Sequence, residues 1–103
     1  MDDKQALAPE VINEKLKTLP GWTYANDKIS KEFKFADFLS ALKLVDDLAP
    51  FCEEHDHHPD IHIYYNRIVF DLQRFDIGGK VTARDFLVAE RIEQLYAAEA
   101  GKK

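Results

Sequence analysis

Apolar positions recur at helical spacing in three segments of the chain and alternate at strand spacing between them. Leu7, Val11, Ile12, Leu16 and Leu19 predict a first helix over 7–19. Pro9 suits its first turn, where a missing N–H costs nothing. The run "LPGW" ends it, because Pro20 and Gly21 break regular structure. Two strands follow, over 22–24 and along "KISKEFKF", with a turn at "AND", 25–27. Ile29, Phe33 and Phe35 point one way and Ser30, Glu32 and Lys34 the other, which predicts a hairpin with one buried face.

The longest helix is predicted over 36–57. Phe38, Leu42, Val45, Ala49 and Cys52 form its apolar stripe, widened by Leu39, Leu48 and Phe51. Pro50 removes one helical hydrogen bond and predicts a kink near Asp46 and Asp47. Pro59 disfavours helical geometry at His58, so the helix ends about there. In a second hairpin Ile61, Ile63 and Tyr65 alternate with His62 and Tyr64. After a turn at Asn66, Ile68, Phe70 and Leu72 alternate with Val69, Asp71 and Gln73. A loop at "DIGGKV" leads to "TARD", a capping box with Thr82 at the cap and Asp85 at the third helical position. The last helix carries Phe86, Val88, Ala89, Ile92, Leu95 and Tyr96. The order helix, hairpin, helix, hairpin, helix predicts an α+β single domain over 1–103. Its expected form is a four-stranded antiparallel sheet with three helices on one face.

Composition narrows the function classes. The 103 residues are 46% hydrophobic, which fits a folded domain of one core. A net charge of −5, with Lys and Arg scattered, disfavours broad nucleic-acid binding. No apolar run approaches a membrane span, and the acidic start lacks a signal-peptide core. Cys52 is the sole cysteine, so no intrachain disulfide forms. These features point to a cytoplasmic or nuclear protein.

The candidate chemistry lies in "EEHDHHPDIHIYYNRI", 53–68, which holds all four histidines: His55, His57, His58 and His62. As a metal site it lacks the i, i+4 histidine pair of a helical zinc motif, although His55 and His58 share a three-residue spacing. As an acid–base site it has Glu53 four residues before His57, on one helix face. A nearby carboxylate and the free carbonyls of a helix end both favour a protonated imidazole. Imidazoles exchange protons near neutral pH. Adjacent histidines are also common as solvated surface, and spacing alone leaves that reading open.

The stretch resembles the pterin-4a-carbinolamine dehydratase family. The matching pattern is an acidic residue, three residues, His-His-Pro, then an aromatic: Glu53, His57, His58, Pro59 and Tyr65. The resemblance extends to Gly21–Trp22, to the phenylalanines of 33–38 and to "RDFLVAERIEQL". It implies loss of water from 4a-hydroxytetrahydropterin to give quinonoid dihydropterin, in recycling of the pterin cofactor, without a metal or redox cofactor. It implies His57 and His58 as the acid–base and pterin-contacting pair, with Glu53 orienting His57. Trp22, Pro59, Phe75 and Asp85 are then expected around the substrate. It also implies a homodimer or homotetramer.

One position departs from the family pattern. The third histidine, sometimes tryptophan, falls on Phe75 here, which stacks but transfers no proton. Water, His55 or His62 is left to fill that role, or activity has been lost. Loss of activity gives the rival reading, a non-catalytic binding partner. Proteins of this family also act as a dimerisation cofactor of a homeodomain transcription factor and as assembly factors. The retained His-His-Pro favours the enzyme.

Overall fold

The computed structural model describes residues 6–73 and 80–100. Three helices and four strands follow the predicted order. The elements are α1 (Pro9–Leu16), β1 (Thr23–Ala25), β2 (Lys28–Lys34), α2 (Phe38–Glu54), β3 (Asp60–Tyr64), β4 (Arg67–Leu72) and α3 (Ala83–Ala100). The strands form one antiparallel sheet in the order β1-β2-β4-β3. Each hairpin closes over two residues, because Ala25 pairs with Lys28 and Tyr64 with Arg67. Asn26 and Asp27 both take positive φ, the geometry that matches a two-residue turn to strand twist. The long pairing of β2 with β4, from Ile29↔Leu72 to Lys34↔Arg67, welds the two hairpins together.

Alternation along the strands separates two faces. Ile29, Phe33, Ile68, Phe70 and Leu72 are fully or almost fully buried under the helices. The opposite face is a polar lattice. There Asp71 accepts a hydrogen bond from the Ser30 hydroxyl and lies 3.6 Å from Lys28 Nζ and 3.3 Å from His62 Nε2. Arg67 bridges to Glu32 at 3.1 Å.

Several boundaries differ from the expectation, among them β1 at Thr23–Ala25 in place of 22–24 and the start of α2 at Phe38 in place of 36. Helix α1 stops at Leu16, and backbone bonds three residues apart tighten the chain so that Leu19 turns inward. Before it, Leu7 N–H donates to the Val81 carbonyl at 2.8 Å, which takes that residue out of the helix. Helix α2 ends at Glu54 and runs continuously through Pro50. Strand β3 ends at Tyr64, so Tyr65 occupies the turn at φ 58 instead of sharing a face with Ile61 and Ile63.

The apolar stripe of α2 is also rotated. Its buried residues are Ala41, Leu44, Leu48 and Cys52. Phe38, Leu39 and Leu42 remain 44%, 72% and 42% exposed. Apolar residues cover much of this helix, so periodicity allowed two stripes. Ala41, small and fully buried, permits the closer approach and belongs to the stripe that docks.

Candidate functional site

The histidine stretch begins where α2 ends. His55 is the C-cap, and Asp56 takes left-handed backbone geometry at φ 49. The His57 N–H donates to the Cys52 carbonyl at 3.0 Å and the Asp56 N–H to the Glu53 carbonyl at 3.3 Å. These two bonds form a Schellman ending, in which a left-handed residue lets the chain reverse while satisfying the last carbonyls. Glycine usually fills the position Asp56 holds.

This reversal separates the two adjacent histidines. His57 turns inward and is 4% exposed, with Nε2 hydrogen-bonded to the Asp85 carboxylate. Asp85 is fully buried, and its other oxygen accepts the Thr82 N–H at 2.7 Å. A single carboxylate therefore caps the start of α3 and fixes the His57 ring. A buried polar group is costly unless it is hydrogen-bonded, and both carboxyl oxygens of Asp85 have partners. His58 turns outward, and its Nε2 pairs with Glu53 instead. The expected Glu53–His57 contact is absent because the turn at Asp56 breaks the helical rotation on which i, i+4 spacing depends.

An open cleft of about 350 Å³ adjoins the outward histidine. Val45, Leu48, Ala49, Cys52, Glu53, His58, Pro59 and Ile61 line it. Its walls are apolar, with Glu53 and His58 as the polar groups, a combination suited to a small ligand with an apolar body and a few polar atoms. Burial and the neighbouring Glu53 push the Cys52 thiol up to about 11, so at neutral pH it is a wall and not a nucleophile.

The remaining expected residues are scattered. Trp22 is 5% exposed in the core, and its Nε1–H donates to Glu93 at 2.8 Å, away from the cleft lining. His55 lies against Phe51 with ring centroids 4.2 Å apart, and its carbonyl accepts Arg84 Nη1 at 2.7 Å. His62 belongs to the polar sheet face with Asp71. Phe75 lies outside the described residues. Among the described residues, no three His, Cys, Asp or Glu side chains converge as metal ligands. Sequence reasoning gave Asp85 a place at the cleft edge but did not pair it with His57. It also missed Arg84, whose only sequence signal is its place in "TARD".

A sequence model of the family described as Pterin 4 alpha carbinolamine dehydratase matches residues 5–95. A relative from Sulfolobus acidocaldarius, whose pterin-4-alpha-carbinolamine dehydratase name is itself provisional, is 40% identical over 82% of this chain and 91% of its own. Another from Acidobacterium capsulatum, named in the same provisional way, is 42% identical over 86% of this chain and 96% of its own. A crystal structure of a transcriptional coactivator/pterin dehydratase from Brucella melitensis superposes with a TM-score of 0.84 at 31% identity. It covers 89% of this chain and 99% of that one. A pterin dehydratase-like protein identified as a RuBisCO assembly factor in the alpha-carboxysome shares the fold, with a TM-score of 0.58 at 21% identity over 73% of this chain and 86% of its own. No described helix is long and apolar enough to cross a membrane.

Proposed function

The chain belongs to the pterin 4 alpha carbinolamine dehydratase family, and we propose that it removes water from 4a-hydroxytetrahydropterin to give quinonoid dihydropterin in pterin-cofactor recycling. One observation carries this reading: two adjacent imidazoles, each backed by its own carboxylate, follow the end of α2, and the second of them lines an apolar cleft. The reaction needs two proton transfers. The hydroxyl on C4a must gain a proton to leave as water, and N5–H must lose one as the C4a–N5 double bond forms. Two imidazoles can divide these tasks. His58, with Glu53 beside it, contacts the pterin at the cleft. His57, held by Asp85, serves the second transfer from behind it. The apolar wall of Val45, Ala49, Pro59 and Ile61 receives the flat ring.

The test is formation of quinonoid dihydropterin from freshly made carbinolamine against the spontaneous background. His57→Ala should lower kcat by roughly a hundredfold. His58→Ala should lower kcat and raise KM together, because this ring lines the cleft. Wild-type rates in both variants would overturn the assignment.

We further propose that the protein works as a homodimer or homotetramer in the cytoplasm. The uncovered α2 residues Phe38, Leu39 and Leu42, and the half-buried Ile61 and Ile63 on edge strand β3, support assembly. A monomer by light scattering at micromolar concentration would contradict it. The same exposed apolar residues support the second reading, a binding partner of another protein. An assay rate no higher than background in the wild type would favour that reading.

A further inference from the structure

The ends of α2 and α3 that meet at the histidine turn both carry charges of the unfavourable sign for their own helices. The last turn of α2 holds Glu53 and Glu54 and no basic residue, and Asp56 follows just after the C-cap His55. Acidic groups there oppose the negative end of the helix dipole. Arg84 lies in the first turn of α3, where a cation opposes the positive end. In the fold the two ends abut. Asp85 stabilises the start of α3, and Arg84 reaches across to the end of α2.

We propose that Arg84 is a positioning residue for the histidine pair, a role that rests on the dehydratase reading for its catalytic consequence. Its Nη1 donates to the His55 carbonyl at 2.7 Å, a part-buried contact across 29 positions of sequence. That carbonyl belongs to the C-cap, two residues before His57 and three before His58. The backbone bonds of the Schellman ending set the shape of this turn but not its place relative to α3. The His57–Asp85 contact ties down one ring, and nothing in that contact anchors the backbone from which both rings project. Arg84 supplies the backbone anchor, and Asp85, its neighbour on the same turn of helix, supplies the ring anchor. Two adjacent residues of α3 thus fix the turn at a carbonyl and at an imidazole.

The experiment compares wild type with Arg84→Ala, Arg84→Gln and Arg84→Lys by steady-state kinetics, thermal melting and long-range proton–nitrogen spectra of the histidine rings. Arg84→Ala should lower kcat about tenfold with KM changed less than about twofold, because misplacement of acid–base groups weakens the chemical step more than pterin binding. Arg84→Lys should recover most of that loss by restoring a charged donor, and Arg84→Gln, a neutral donor, should fall between. The His57 ring signals should move in Arg84→Ala and return in Arg84→Lys. Unchanged His57 signals would overturn the proposal, and so would a lower melting temperature with wild-type kcat. If Arg84→Ala fails to fold, Arg84→Gln and Arg84→Lys decide by the same readouts. If the wild type shows no rate above background, the dehydratase reading fails, and the ring spectra still decide whether Arg84 positions the pair.

Discussion

Helix α3 carries two carboxylates that each pin an aromatic ring by its nitrogen, and the two corners they form differ in what they can do. At one, Asp85 holds His57. At the other, Glu93 accepts the Trp22 indole N–H at 2.8 Å and Lys31 Nζ at 2.6 Å. Lys31 also donates to the Pro20 carbonyl and lies over the Phe33 ring at 4.7 Å. The Trp22 corner is a clasp. Its indole never releases its proton in water, and its carboxylate is shared with a fixed ammonium. The His57 corner uses the same construction around an imidazole, a ring type that can give or take a proton, with the imidazole of His58 next in sequence on the cleft. Rigidity is common to both, and the identity of the ring separates structure from chemistry.

The largest break in this comparison should come from Asp85→Ala. It strands a buried imidazole and the Thr82 N–H together, so urea unfolding should show a loss of about 3 kcal/mol. Dehydration should fall with it. Glycine 21 tests the clasp. Its φ is 89, and an added Cβ would meet Lys31 Cε at 2.9 Å. Gly21→Ala should cost about 1–2 kcal/mol and leave kcat unchanged, since it perturbs only the corner without proton chemistry. Asp56→Gly works in the opposite sense. It relieves a left-handed non-glycine residue and removes an acid from a helix C-terminus, so stability should rise by up to about 1 kcal/mol. A melting temperature at or below wild type would contradict this.

The last effect is confined to alkaline pH and is absent at neutrality. The Cys52 thiol is raised from 9.0 to about 11, so the folded protein keeps this proton longer than the unfolded chain does. Its contribution is whole below the ordinary thiol range and is lost as pH rises towards about 11. Wild type should therefore lose stability relative to Cys52→Ala over that window. Parallel urea midpoints for the two proteins would show the mechanism absent.

Local rules made the element order and both hairpins legible, because alternation and turn residues act over a few positions. The α2 stripe was misread because the helix has apolar residues on two faces, and which face docks is decided by packing against α3 and the sheet. His57 and His58 were recognisable as a pair from their place before Pro59. Their partners were less so. Glu53 was assigned to His57 by helical arithmetic that the Asp56 turn invalidates. The Trp22–Glu93 contact spans 71 positions, and no periodicity reports a contact at that distance. Trp22 carried a resemblance to a cleft residue, and the fold uses it as a core ring with one satisfied donor.

The sheet order carries a consequence for how the molecule comes together in time. Each hairpin closes locally, whereas the central ladder brings Ile29 to Leu72 and the His57–Asp85 contact spans 28 positions. Loop-closure entropy delays such long-range pairings relative to turns. During refolding, the hairpins can report native-like secondary structure before the acid that fixes His57 arrives with α3. Catalytic competence should then return with the docking of α3, after the strands have formed and not along with them.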